Sequence, residues 1–274
     1  MISNVSFGQY YPTKSFVHKM DSRIKLLLTI LYIVTIFLVK TYSGYIATFA
    51  VLVTTIIVAR IPIKTVLKSV KAVIFLIIFT VILNVFFYKG EEVLCSWWIF
   101  VIHKGAIDFA LRMALRLLFL VMGTSLLTFT TSPVELTDGL ESLMYPLKII
   151  KFPVHDVAVI MSITLRFIPI LMEEADKIIM AQSSRGADFG GKNIFKKAKA
   201  MLPILIPLFI SAFRRAEELS LAMDSRCYNA TDKRTRYKRG KFTWRDLVGT
   251  LFFLSLLAFI IVDNVVLHLL VFVI

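Results

Sequence analysis

The sequence predicts an all-α integral membrane protein. It has about five transmembrane helices, with room for a sixth, and a cytoplasmic domain of long helices inserted before the last span. Three observations carry that prediction. Hydrophobic residues make up 58% of the 274, well above the ~45–50% of a soluble domain, and the mean hydropathy is +0.79. Uncharged runs of membrane-crossing length recur along the chain. Finally, 32 Lys and Arg against 18 Asp and Glu leave a net charge of +14, and the excess is concentrated. Lys177 to Arg245 holds sixteen basic and five acidic residues, so +11 of the charge lies in one quarter of the chain. Nucleic-acid binding would account for a pI near 9.8, but not for the hydrophobicity.

A spanning helix needs roughly 17–25 largely apolar residues. The first run, 26–39, has fourteen, and Lys25 and Lys40 can snorkel from its ends. The runs 41–59, 72–88 and 117–134 have nineteen, seventeen and eighteen residues. The fifth, 247–262, has sixteen, closes at Asp263 and is followed by an apolar tail to Ile274. Three other runs fall short. Val93–His103 is eleven residues and reads as an interfacial or re-entrant piece, with Trp97 and Trp98 at headgroup depth. Residues 157–172 are cut by Arg166 and end at Glu173 and Glu174. Ala200–Phe213 contains Pro203 and Pro207 and runs into Arg214 and Arg215.

Charge then sets the sidedness. The first 25 residues carry Lys14, Lys19, Arg23 and Lys25 and no apolar core of signal-peptide length. The connection 60–71 adds Arg60, Lys64, Lys68 and Lys71 with no acid. By the positive-inside rule both face the cytoplasm, and the +11 block joins them. The expected organisation is a membrane bundle over 1–134, a cytoplasmic domain over 135–245 and a C-terminal membrane helix within 246–274. Cys95 and Cys227 are too few for a disulfide framework.

The cytoplasmic insertion contains an internal repeat. At an offset of 41, residues 175–185 (ADKIIMAQSSR) match 216–226 (AEELSLAMDSR), sharing A-[DE]-x-[IL]-x-[ML]-A-x-x-S-R. Both copies are rich in helix formers. On a helix Ile178, Ala181 and Arg185 share one face, as do Leu219, Ala222 and Arg226. Gly186 is a natural stop for the first copy, and Asn229-Ala-Thr-Asp232 for the second. A single arginine in a last turn can simply complement the helix dipole. Two matched basic tips point instead to a partner that offers the same pocket twice, such as a dimer of related nucleotide-binding subunits with carboxylates for each arginine fork.

The most specific matches are His18-Lys-Met-Asp-Ser-Arg-Ile-Lys25, Thr130-Thr-Ser-Pro133, Leu165-Arg-Phe-Ile-Pro169, Glu173-Glu-Ala175, Ala181-Gln-Ser-Ser-Arg-Gly186 and Ser225-Arg-Cys-Tyr228. Over about 18–228 the chain resembles the transmembrane T component of energy-coupling factor transporters, the CbiQ/EcfT family of modular vitamin and metal importers. The resemblance implies that Ser184-Arg185-Gly186 and Ser225-Arg226-Cys227 dock in grooves of two ABC ATPase subunits. It implies coupling helices near 134–151, 155–186 and 200–228, supported by Ile178, Ala181, Leu219, Ala222, Arg166 and Pro169. These would pass ATP-driven movement to a separate, membrane-embedded, substrate-binding S component, with Pro169, Pro203 and Pro207 setting bends. ATP and Mg would sit on the partner subunits. The chain itself would be non-catalytic, without cofactor, metal or nucleic acid, in the lipid bilayer of the bacterial cytoplasmic membrane. Two positions depart from the family pattern: Asp21-Ser22-Arg23 stands where Asp-Pro-Arg is usual, and Ser-Arg-Cys where Ala-Arg-Gly is commoner.

Other signals are weaker. Gly186–Asn193 nearly fits G-x-x-x-x-G-K-[ST] but ends in Asn and follows a helix, not a strand. His18, His103, His155 and His268 lie in separate segments with no ligand spacing. Glu173 and Glu174 read as a solvated helix face rather than an acid/base pair. Arg112, Arg116 and Arg166 carry charge at or near membrane depth. Such charges are functional by default; the competing structural reading is snorkelling for Arg112 and a buried interhelical bond for Arg166, and the family resemblance implies internal bracing of the coupling region. The alternative reading, a substrate-binding permease subunit of a classical ABC importer or another membrane transporter, should show polar groups converging at midplane. Few occur beyond Asn84 and Ser/Thr.

Overall fold

The computed structural model describes residues 10–87, 93–97, 100–187, 194–228 and 242–273. Among these, eight α-helices carry the chain: α1 Ser22–Leu38, α2 Tyr42–Ala59, α3 Ile63–Phe87, α4 Lys104–Thr130, α5 Pro133–Met144, α6 Val154–Ser184, α7 Ile194–Asp224 and α8 Trp244–Val273. A short 3-10 segment, Tyr145–Ile150, follows α5. The fold is all-α apart from one hairpin between α3 and α4, where β1 (Val93–Trp97) pairs antiparallel with β2 (Phe100–His103). That hairpin stands where an interfacial or re-entrant piece was expected. The run is too short to span and is rich in β-branched and aromatic residues, which favour strands. Trp98, one of the two expected headgroup anchors, lies outside the described residues.

Five helices are long and apolar enough to cross a membrane: α2, α3, residues 105–130 of α4, α6, and residues 244–266 of α8. This set differs from the sequence expectation at two places. At seventeen residues, α1 is short of the others, and it opens on Arg23 and Lys25. In contrast, α6 runs for 31 residues straight through Pro169, so its apolar first half merges with the charged second half into one long helix. The start of α4 also lies well before the expected residue 117. Asp108, Arg112 and Arg116 fall in its first half and are held by partners, so the helix need not wait for the charge-free run.

The chain divides into two compact units, one of Gly8–Phe152 with Lys241–Ile274, the other centred on Pro153–Gly240. In the first, α1 packs on α4, α5 and α8, while α2 packs on α4 and α8. Its core face repeats at helical spacing: Tyr32 and Ile36 on α1 with Val39 at its C-cap, Tyr45, Leu52 and Ile56 on α2, Phe119 and Leu126 on α4, Leu256 and Ile260 on α8. Because lipid is as apolar as leucine, packing and hydrogen bonds rather than water exclusion hold such helices together. The Tyr32 hydroxyl donates to the Phe119 carbonyl at 2.8 Å. Helix α5 belongs to this unit because it lies on α1: at Gly139 a β-carbon would sit 3.0 Å from Ser22 Oγ. In the second unit α6 packs on α7.

Candidate functional site

Both sequence-predicted tips lie in the second unit, and their backbones end alike. At the end of α6, Arg185 N–H donates to the Gln182 carbonyl at 3.1 Å, Gly186 N–H to Ser183 at 3.0 Å, and Ala187 N–H back to Gln182 at 3.0 Å. Moving 41 positions on, Arg226 N–H donates to Met223 at 3.1 Å, Cys227 N–H to Asp224 at 2.9 Å, and Tyr228 N–H to Met223 at 3.0 Å. Each pattern closes the last turn on its own carbonyls, which requires a left-handed residue just past the helix. Gly186 adopts φ +85° and Cys227 φ +55°. The third position of each triplet is therefore a cap, and that explains why glycine is favoured there.

The serines fold inward. Ser184 Oγ donates to the Met180 carbonyl and Ser225 Oγ to Ala222, both at 3.0 Å. Arg185 and Arg226 are both exposed, and among the described residues neither guanidinium has an ion-pair partner. Ile178 and Leu219 are half-buried while Ala181 and Ala222 are exposed, so the two copies match in burial as well. The near-phosphate-loop stretch from Asp188 and the Asn229–Asp232 stop lie outside the described residues.

Sequence reasoning missed one pair. Glu174 is no solvated face: its carboxylate takes an ion pair from Arg215 Nη2 at 3.2 Å. The two are 41 residues apart, the repeat offset, one position before the matched segments. A search for opposite charges at equivalent repeat positions would have found them. Arg166 is exposed on α6, with no ion pair among the described residues, so the buried interhelical bond expected of it is not made. Pro169 is exposed within α6.

In the first unit, motifs far apart in the chain meet. Asp21 caps α1 through the Arg23 N–H at 3.0 Å, and its own N–H donates to Asp246 Oδ1 at 2.9 Å. Lys25, buried, donates from Nζ to the Thr130 and His18 carbonyls, both at 3.0 Å. Two residues on, Ser132 and Glu135 form a capping box that starts α5. His18-to-Lys25 and Thr130-to-Pro133 thus form one junction. Burial holds the His18 imidazole below the usual histidine range, and its Nε2 lies 3.0 Å from the Tyr11 carbonyl. Ser22, where proline is usual, is the first residue of α1, a position that proline suits but does not monopolise.

Arg112 and Arg116 brace the opposite end of the bundle, not the coupling region. Arg116 donates to the Val39 carbonyl at 3.0 Å, the C-cap of α1. Arg112 pairs with Asp108, which also accepts from the Tyr42 hydroxyl. From α8, Asp263 accepts from Ser43 Oγ at 2.6 Å and from Thr41 Oγ1, and Asn264 donates to the Leu38 carbonyl at 2.8 Å. The α1–α2 turn is clamped from both sides.

Residues 13–237 match the cobalt transport protein family, CbiQ. The chain belongs to this family. Among members with curated names, it is 48% identical to an energy-coupling factor transporter transmembrane protein of Ruminiclostridium cellulolyticum, over 91% of this chain and 93% of that one. A protein of the same name from Clostridium kluyveri is 45% identical over 97% and 98%, and one from Staphylococcus aureus 43% over 91% and 93%. The CbiQ match takes in the N-terminal junction, the Glu174–Arg215 pair and both arginine tips.

Proposed function

We propose that this chain is the energy-coupling membrane subunit of an ECF-type importer, linking ATP hydrolysis on two ABC ATPase subunits to vitamin or metal uptake through a separate S component. The observation that carries the reading is the equivalence of the two tips. Ser184-Arg185-Gly186 and Ser225-Arg226-Cys227 end long helices with the same cap hydrogen bonds, and both present an arginine fork without an ion-pair partner among the described residues, which suits two related grooves lined by carboxylates. ATP and Mg belong to the partners, and the chain acts without catalysis of its own.

Charge supports the topology. If α6 crossed the membrane as well as α1 to α4, Arg185, Arg226 and the +11 block would face outward, against the positive-inside rule. With α1, α2, α3, α4 and α8 as the spans, the N-terminus, the 60–71 connection and residues 135–245 all face the cytoplasm, and α6 and α7 serve as coupling helices. A transporter-family chain with this charge bias suits the bacterial cytoplasmic membrane.

A permease that binds substrate itself is less well supported. The cavity between α1, α2, α4 and α8, about 420 Å³, is apolar apart from Lys25, four threonines and Tyr32, whose hydroxyl is taken by the Phe119 carbonyl. The hydroxyls of Thr29, Thr54, Thr55 and Thr130 each donate to a carbonyl of their own helix, and Lys25 is engaged with two carbonyls. Little remains to select a polar solute.

Reversing both tips tests the docking assignment. The Arg185→Glu/Arg226→Glu double variant is expected to insert normally, to lose the ATPase subunits on purification in mild detergent, and to abolish uptake. Retention of both ATPases would overturn the assignment.

A further inference from the structure

The repeat and the ion pair together locate an axis. When two similar helices are related by a two-fold rotation, only residues close to the axis meet their own equivalents. Glu174 and Arg215 occupy the same repeat position at offset 41 and are in contact at 3.2 Å. The pseudo-two-fold of the α6–α7 pair therefore passes between them. Gln182 Nε2, toward the end of α6, reaches the Pro203 carbonyl in the first half of α7 at 3.4 Å, so the helices run in opposing senses and their C-terminal arms diverge. From the axis, Glu174 to Arg185 and Arg215 to Arg226 are each eleven residues, roughly 16 Å of helix at 1.5 Å per residue. The two tips have equal reach from the crossing.

Strict symmetry would place like charges face to face on such an axis. The sequence breaks symmetry there: Glu174 in one copy meets Arg215 in the other. A small residue follows each, Ala175 after the glutamate and Ala216 after the arginine, and Ser211 and Ala212 lie one turn before the arginine. The pair is about a third exposed, 35% for Arg215 and 28% for Glu174, a setting in which ion pairs add little to stability. What the single Nη2–Oε2 contact provides there is one fixed point between the two helices.

We propose that Glu174 and Arg215 are the fulcrum pin of the two crossed helices, positioning residues that keep both arginine arms the same length while the helices turn. A slipped crossing would lengthen one arm and shorten the other, and two ATPase subunits closing together could not move both tips equally. This inference rests on the docking reading above, because it assumes that both tips are engaged.

The test is a charge swap in the complete transporter with its ATPase and S subunits. Glu174→Arg alone and Arg215→Glu alone each put like charges on the axis. Both are expected to retain the ATPase subunits, since the tips are untouched, and to keep hydrolysing ATP. Uptake per ATP hydrolysed should fall about tenfold, within the coupling expected of residues in contact. The exchanged double variant, Glu174→Arg/Arg215→Glu, should recover most of it, and the milder Glu174→Gln should show the same uncoupling to a lesser degree. Uptake per ATP that is normal in the single variants, or no better in the exchanged variant than in the singles, would overturn the pin. Failure of docking would show differently, as ATPase subunits retained by the Arg185→Glu/Arg226→Glu variant, so the two readings fail separately.

Discussion

Cys227 holds a backbone conformation that its partner position gives to glycine. Its φ of +55° sets its β-carbon against the neighbouring carbonyl, a strain of roughly 1–2 kcal/mol for a non-glycine residue. Replacing it with glycine relieves that strain but adds freedom to the unfolded chain, which takes back about half. Cys227→Gly is therefore expected to firm the end of α7 by about 0.5–1 kcal/mol, read as slower hydrogen exchange at the Cys227 and Tyr228 amides. Faster exchange at those amides would rule out the left-handed cap. At this scale Arg185 and Arg226 were legible because a repeat is a property of the chain alone. Glu174 was misread, since a charged residue beside Glu173 on a helix looks solvated until the facing helix is known.

Among the elements, α1 and α4 depend on one missing side chain. At Gly123 a β-carbon would come within 2.0 Å of Tyr32 Cε1. The ring cannot easily retreat, because its hydroxyl is bonded to Phe119 and Phe253 stands edge-on at 6.3 Å. Gly123→Ala should destabilise the bundle by about 1–3 kcal/mol, seen as a lower Tm in detergent. Combining it with Tyr32→Leu should remove most of the penalty. An unchanged Tm for Gly123→Ala would contradict the packing. The helices themselves followed from apolar periodicity, but their limits did not. Charges that would end a span are satisfied by neighbours: Arg112 by Asp108, and Arg116 by a carbonyl of α1. Asp108 is one turn away on α4 itself, but the partner of Arg116 becomes visible only when the helices are assembled.

For the whole molecule the question is which side the tips face, and Cys227 offers a probe because it is exposed and lies next to Arg226. In a Cys95→Ser background it is the one thiol left. A membrane-impermeant maleimide should leave intact cells unlabelled and label inside-out vesicles stripped of ATPases. Adding the ATPase subunits back should protect it. Labelling of intact cells would invert the proposed topology.

Hydropathy, charge bias and the 41-residue repeat are carried by residues near one another in the chain, so a helical membrane protein with one basic block and two matched arginine tips could be read without coordinates. Packing joins residues that are distant in sequence, and it alone decided the rest. It brought Lys25 to Thr130 and Asp21 to Asp246, assigned Arg112 and Arg116 to the α1–α2 turn, and set Glu174 against Arg215. A buried or paired charge is stable only where another element supplies its partner, and no local pattern says which element that is.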